Sequence, residues 1–162
     1  MVDNNLGDVR ERAHGTRTLV EPAPFFMDAE GESPPVMVID DSPAVRSVVE
    51  ISLKRVGIPA VAFEGGLPAL AALSDGVLAP PRVLLLDIGM PKMDGYEVAR
   101  VFRTNRALTD VRIIMLSGHD GILDRARAKL VGASDFIAKP FRAAELVRRV
   151  CVALGMVEVS WE

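Results

Sequence analysis

The feature that most constrains this chain is an uninterrupted apolar run, Val-Leu-Leu-Leu at residues 83–86, that leads directly into Asp87. Because the run does not alternate between apolar and polar residues, it predicts a strand that is buried on both faces, as strands of parallel sheets are. Asp87 then stands at the carboxyl end of a central strand. In open α/β sheets this is the edge at which ligands bind, so Asp87 is the first candidate for a functional residue.

Four other short apolar segments are separated by stretches with helical periodicity and by glycine or proline. The predicted strands cover residues 36–39, 58–63, 83–86, 111–116 and 134–138, and the helices begin near Ser42, Pro68, Asp94, Ile122 and Arg142. Strand and helix therefore alternate five times. This order predicts an α/β domain that is doubly wound, with a central five-stranded parallel sheet, right-handed crossovers and helices on both faces.

The ends of the chain differ from this domain in composition. Residues 1–34 show no sustained periodicity and hold seven acids and three arginines, so their net charge is −4. Because the whole chain has a net charge of −3, the remaining residues sum to +1. We expect a flexible N-terminal extension over residues 1–34, a domain over residues 35–154 and a C-terminal tail over residues 155–162. A near-neutral domain without a basic block argues against nucleic acid as its main partner.

The apolar runs and the cysteine content indicate the cellular compartment. No apolar run approaches the roughly 20 residues that a membrane-spanning helix needs, so we expect no membrane insertion. The single cysteine, Cys151, excludes an internal disulfide and a cysteine-based zinc site. It lies on an apolar helical face, which favours buried packing over reactivity. The expected compartment is a reducing cytoplasm.

Polar side chains follow four of the five predicted strands, and parallel strands bring them to one edge of the sheet. Asp40 and Asp41 follow the first strand, Asp87 the third, Ser117 the fourth and Lys139 the fifth. Three crowded carboxylates raise one another's pKa unless a cation neutralises them, and Mg²⁺ suits such an oxygen-rich site. Lys139 and Ser117 can each bind a phosphoryl oxygen. Asp87 remains as the nucleophile for phosphoryl transfer.

These motifs and their order resemble the receiver domains of two-component response regulators over residues 36–154. The shared motifs are Asp40-Asp41, the Leu-Leu-Leu-Asp87 run, Met90-Pro91-Lys92-Met93-Asp94-Gly95, Ser117-Gly118 and Lys139-Pro140-Phe141. Residues 117–126 and 129–133 are similar, more narrowly, to PilG-type receivers of type IV pilus and twitching-motility systems. The resemblance implies a CheY-like (βα)5 fold and a phosphoacceptor switch rather than an enzyme.

The resemblance also assigns roles to individual residues. It implies that Asp87 accepts a phosphoryl group from the phosphohistidine of a histidine kinase or phosphotransfer domain. Mg²⁺ would be held by Asp41, Asp87 and the backbone carbonyl of Gly89, with Asp40 acting through water. Ser117 and Lys139 would bind the phosphoryl group.

Switching and output follow from the same resemblance. Phe136, three residues before Lys139, matches the aromatic switch position of the family but has no phenolic hydroxyl. Since nothing after residue 154 is long enough for an output domain, we expect a stand-alone switch that signals to a downstream protein. The expected contact surface is formed by the fourth helix, the fifth strand and the fifth helix.

Two other functions remain open at this point. A phosphatase of the haloacid dehalogenase type also uses an aspartate at a strand end, but it needs a second acid two residues later, where this chain has Gly89. A receiver-shaped adapter would bind partners without being phosphorylated. The intact set of acids argues against the adapter.

Overall fold

The computed structural model describes residues 35–156, which form five strands and five helices in strict alternation. The strands are β1 (Val36–Ile39), β2 (Ala60–Phe63), β3 (Val83–Asp87), β4 (Arg112–Ser117) and β5 (Asp135–Ala138), and the helices are α1 (Pro43–Arg55), α2 (Gly66–Ser74), α3 (Gly95–Thr104), α4 (Ile122–Leu130) and α5 (Ala143–Ala153). The order of elements predicted from the sequence is confirmed. Within residues 35–156 no helix is long and apolar enough to cross a membrane.

All five strands pair in parallel in one sheet, in the order β2-β1-β3-β4-β5. The register aligns Ile39 of β1 with Leu86 of β3, and Asp87 with Leu116 of β4. The strand ends that precede Asp40 and that carry Asp87 and Ser117 therefore meet at the same edge. The CheY-like doubly wound fold that the motifs implied is confirmed.

Each strand sends alternate side chains into two separate hydrophobic cores. Leu84 and Leu86 pack on one side with residues of α2, α3 and α4, whereas Val83 and Leu85 pack on the other with residues of α1 and α5. All four are fully buried. A strand that contributes to two cores has to be apolar at every position, which explains why the run before Asp87 shows no alternation.

Local sequence signals set the start of two helices as predicted. Ser42 caps α1: its Oγ accepts a hydrogen bond from the backbone N–H of Val45, and Pro43 occupies the first helical position. Asp94 caps α3 in a capping box, because its carboxylate accepts from the Glu97 N–H while the Glu97 carboxylate accepts from the Asp94 N–H. Both helices leave the edge of the sheet that carries the acids.

Two elements begin at other residues than the sequence predicted. The second strand begins at Ala60 rather than residue 58, because the Ile58 N–H bonds to Leu53 and closes the end of α1. α2 begins at Gly66, two residues before Pro68, which places proline in the first turn where its missing N–H is not needed.

Packing departs from the prediction at two further positions. Val48, expected on the buried face of α1, is 45% exposed, and Met156, two residues beyond the expected end of the domain, is buried. Cys151 is buried, as expected. The predicted extension at residues 1–34 and all of the predicted tail after Met156 lie outside the described residues.

Candidate functional site

Asp87 is the last residue of β3 and lies almost fully buried at the carboxyl edge of the sheet. The following turn is held close to it: the Gly95 N–H donates to the Ile88 carbonyl at 3.0 Å. A Cβ atom on Gly95 would clash with the Asp87 carbonyl oxygen and would lie 2.8 Å from the Ile88 Cα atom. Only glycine therefore allows the start of α3 to pack directly beneath the Asp87 backbone.

The loop between Asp87 and α3 contains a tight turn that the sequence did not reveal. Lys92 has a positive φ of 67°, and the Met93 N–H donates to the Pro91 carbonyl at 2.8 Å. A hydrogen bond across two residues with a positive φ at the centre defines a γ-turn of the strained kind. The loop also turns the Gly89 N–H toward the Asp87 carboxylate, 3.4 Å from Oδ1.

Asp40 and Asp41 bring two further carboxylates to this edge. Asp40 is fully buried and Asp41 is exposed. Oδ1 of Asp40 accepts a hydrogen bond from the Ser42 N–H at 2.9 Å, and Arg46, which sequence reasoning missed, donates to the Asp40 backbone carbonyl at 2.7 Å. Arg46 lies one helical turn beyond the Ser42 cap, a position that by itself gives no sign of this contact.

The three acids form a compact group. One carboxylate oxygen from each of Asp40, Asp41 and Asp87 lies within 4.8 Å of the other two. Oxygen donors of this charge and spacing fit a hard divalent cation such as Mg²⁺. The donor set therefore agrees with the magnesium site expected from the sequence.

Lys139, which follows β5, places its ammonium group between two of these acids. Its Nζ atom lies 2.7 Å from Oδ2 of Asp40 and 3.1 Å from Oδ1 of Asp87. The lysine side chain is 21% exposed, so it faces the rim of the site while it neutralises buried charge. One lysine thus ties the carboxyl ends of β1, β3 and β5 together.

The electrostatics show that one ammonium group does not balance three carboxylates. Burial and the nearby Asp40 carboxylate raise the pKa of Asp87, and the hydrogen bond from Lys139 opposes them only in part. Burial lowers the pKa of Lys139, but its hydrogen bonds to Asp40 and Asp87 outweigh burial and leave that pKa raised. Burial is the main cause for Asp87 and the two carboxylates are the cause for Lys139, and a bound cation would stabilise the charged form of the acids in either case.

Ser117 ends β4 beside Asp87 and is buried. Its Oγ atom accepts a hydrogen bond from the backbone N–H of His119 at 3.0 Å, which links the hydroxyl to the loop that leads into α4. The His119 side chain is exposed. A movement of the Ser117 hydroxyl therefore acts directly on the backbone that precedes α4.

Phe136 lies on β5 and is 6% exposed. The guanidinium carbon of Arg125 sits 4.8 Å from the centre of the ring, a cation–π contact. Phe136 also lines a groove of about 460 Å³ between α4 and β5. Ile122, Ala126 and Lys129 line the same groove.

This combination of a five-stranded parallel sheet and an acidic group with a lysine and a serine at its carboxyl edge defines a doubly wound α/β signalling fold. The family model of the response regulator receiver domain matches residues 36–151. The chain belongs to this family and is a receiver domain of the two-component kind. The resemblance stated from the motifs is confirmed.

Individual relatives agree with this assignment. Protein PilG of Pseudomonas aeruginosa is 36% identical over 121 residues, which cover 75% of this chain and 87% of PilG. A probable transcriptional regulator, ycf27, of Guillardia theta is 35% identical over 119 residues, which cover 74% of this chain but 44% of that protein. The chain thus spans most of PilG and less than half of the longer regulator.

Solved structures show the same fold. Chemotaxis protein CheY4 of Vibrio cholerae superposes with a TM-score of 0.69 at 26% identity, and the match covers 75% of this chain and 98% of that one. A response regulator from Chloroflexus aurantiacus superposes with a TM-score of 0.68 at 29% identity, over 76% and 99% of the two chains.

Proposed function

We propose that this protein is a stand-alone phosphoacceptor switch in which Asp87 receives a phosphoryl group from the phosphohistidine of a histidine kinase or phosphotransfer domain. The observation that carries the proposal is the Lys139 ammonium group, which contacts Asp40 and Asp87 at the edge where Ser117 also ends its strand. Family membership supports the switch over the phosphatase alternative.

The transfer step is a displacement at phosphorus. A carboxylate oxygen of Asp87 forms the new O–P bond while the N–P bond of the phosphohistidine breaks, and its electron pair stays on the imidazole nitrogen, which then takes a proton. Lys139 neutralises charge on one phosphoryl oxygen, and the Ser117 hydroxyl donates to a second. Asp41, Asp87 and the Gly89 carbonyl would hold Mg²⁺, with Asp40 acting through water, and the bound ion would supply positive charge to the phosphoryl oxygens.

Phosphorylation by a small donor tests this proposal. Acetyl phosphate with Mg²⁺ should add the mass of one phosphoryl group to the protein, and Asp87→Asn should abolish the addition with the fold intact. Asp110→Asn, which changes an exposed acid remote from the site, serves as the matched control and should label normally. Labelling of the Asp87→Asn protein at another residue would overturn the assignment, and failure of the unchanged protein to label would favour the adapter function.

The proposed output is a protein surface formed by α4, β5 and α5. The groove over Phe136 supports this choice, because it carries apolar side chains and the positive groups of Arg125 and Lys129 on one exposed face. A charge added at Asp87 biases the switch through Ser117 and the loop it holds. The similarity to PilG supports an output in a pilus or motility system as part of this proposal.

The proposal further assigns the protein to the cytoplasm, with no nucleic acid as partner. Its one cysteine is buried, and the domain outside residues 1–34 is nearly neutral.

Beryllofluoride, a phosphoryl mimic, tests the output surface by NMR. Signals of residues 118–131 and 134–146 should shift along the line that joins two end states, whereas shifts confined to the loops around Asp87 would refute the switch.

A further inference from the structure

Tyr96, the second residue of α3, carries a hydroxyl group that takes part in none of the site contacts described above. The residue is 4% exposed and its ring packs in the core between the sheet, α3 and α4. Among the described residues the hydroxyl has no hydrogen-bond partner. A buried hydroxyl without a partner carries its full desolvation penalty, which a packing that supplied an acceptor would recover.

An acceptor lies on the neighbouring face of α4. The guanidinium carbon of Arg127 sits 4.5 Å from the centre of the Tyr96 ring, which fixes this face of α4 against α3. Asp124 precedes Arg127 by three residues, so both side chains lie on the same side of the helix. Burial raises the pKa of Tyr96, and of the charges near it Arg127 lowers this pKa while Asp124 and Asp94 raise it. The Asp94 carboxylate already accepts the Glu97 N–H in the cap of α3, which leaves Asp124 as the acceptor from α4.

α4 is held between two aromatic rings, and only one of them has a polar group. Arg125 contacts the Phe136 ring on the β5 side, and Arg127 contacts the Tyr96 ring on the α3 side. Phe136 cannot form a hydrogen bond with the loop before α4. Tyr96 can supply a hydroxyl from the opposite side of the same helix.

The loop before α4 connects this hydroxyl to the phosphorylation site. Only residues 118–121 separate Ser117 from the first residue of α4, and the His119 N–H is bonded to the Ser117 hydroxyl. A change in the Ser117 position therefore displaces the amino end of α4, which carries Asp124 in its first turn.

We propose that Tyr96 donates a hydrogen bond to the Asp124 carboxylate when Ser117 engages a phosphoryl oxygen on Asp87, and that this bond fixes α4 in its signalling position. Tyr96 is then a positioning residue: from the α3 side it supplies the hydroxyl group that Phe136 lacks on the β5 side. The inference rests on the proposed phosphoacceptor function and specifies how that site controls its output.

A double-mutant cycle on the full chain tests the inference, with beryllofluoride affinity at saturating Mg²⁺ measured by calorimetry. Tyr96→Phe keeps the ring and its contact with Arg127, and should weaken beryllofluoride binding about three- to tenfold, the range of one net hydrogen bond. Asp124→Ala should weaken it similarly, and the double variant should bind no more weakly than the weaker single variant. Asp124→Asn, which keeps an acceptor oxygen, should restore part of the affinity.

Two readouts separate this role from a purely structural one. Without beryllofluoride, Tyr96→Phe should unfold in urea at the same concentration as the unchanged protein or at a higher one, because its hydroxyl has no partner to lose. Asp120→Ala, which removes an exposed acid just before α4, controls for the loss of negative charge near a bound anion.

Three results would overturn the inference. They are unchanged affinity in Tyr96→Phe, additive losses in the double variant, and a loss of stability in Tyr96→Phe without the mimic. If the unchanged protein itself fails to bind beryllofluoride, the proposed function fails as well. If it binds and the variants bind equally, only the role of Tyr96 fails.

Discussion

Replacement of Asp87 by asparagine should stabilise the folded protein at neutral pH, although it removes an ion pair. The side chain is 8% exposed and lies within 4.8 Å of two other carboxylates. At 4.8 Å and an effective dielectric constant of about 20, one pair of like charges repels by about 3.5 kcal/mol. Asparagine keeps the shape of the side chain and removes the charge.

The Lys139 contact opposes this repulsion. At 3.1 Å the same dielectric constant gives an attraction of about 5 kcal/mol between Lys139 and Asp87, which roughly cancels the repulsion from Asp40 and Asp41 together. Burial of the charged carboxylate, the largest cause of the raised pKa of Asp87, is therefore the term that decides the sign, and we expect a net gain of about 1–2 kcal/mol on substitution. For a domain of this size the melting temperature should rise by about 3–8 °C.

The pH dependence gives the prediction a second readout. Because the pKa of Asp87 is raised above 3.8 in the folded state, the fold binds this proton more tightly than the unfolded chain does. The unchanged protein therefore loses stability as pH rises through the folded pKa. The advantage of Asp87→Asn should be complete at neutral pH and should vanish below pH 3.8, where the aspartate is neutral in both states.

Urea unfolding followed by circular dichroism at several pH values measures this difference. Asp110→Asn provides the matched control, since it neutralises an exposed acid and should change stability by less than about 0.5 kcal/mol. Added Mg²⁺ should narrow the gap, because a cation that binds the acids stabilises only the unchanged protein appreciably. A stability loss in Asp87→Asn at neutral pH, or a gain that persists unchanged in acid, would refute the argument.

Three further outcomes follow from the site and the sequence. Asp41→Ala should remove most Mg²⁺ binding in a calorimetric titration, and unchanged affinity would count against the acidic site. Deletion of residues 1–34, which show no periodicity, should leave the melting temperature and acetyl phosphate labelling nearly unchanged; a large drop in melting temperature would show that the segment packs on the domain. Gly95→Ala should destabilise the fold by about 3 kcal/mol or more in urea, because its Cβ atom would clash with the Asp87 backbone, and normal stability would contradict this contact.

The sequence predicted the edge of the sheet well, because the position of a residue at a strand end depends on local apolar runs and on parallel pairing. Asp87 and Lys139 are 52 residues apart in the chain, yet each directly ends or follows a short buried strand. The alternation of strands and helices was therefore enough to predict that Asp87 and Lys139 lie at one edge of the sheet. The glycine and proline signals between the elements limited the errors to about two residues at element ends.

Contacts between helices could not be predicted in the same way. The rotation of a helix about its axis depends on all the residues packed beneath it, so Val48 was placed on the wrong face and the contact between Tyr96 and Arg127 was not foreseen. The positive φ of Lys92 has no sequence signal either, because lysine has no intrinsic preference for that conformation. The tertiary structure imposes it where the chain turns from β3 into α3.

The two members of the Lys139–Asp87 ion pair contribute to stability with opposite signs. Removal of Asp87 relieves an excess of negative charge, whereas removal of Lys139 would leave the fully buried Asp40 carboxylate without its counter-charge, a loss of about 3–5 kcal/mol in comparable buried pairs. A phosphoryl group on Asp87 adds further negative charge at the same point. Under the proposed function, Lys139 would keep its bond to Asp40 and exchange its bond to Asp87 for one to a phosphoryl oxygen. The acidic group would then destabilise the fold before phosphorylation because the site is arranged to hold a further negative charge.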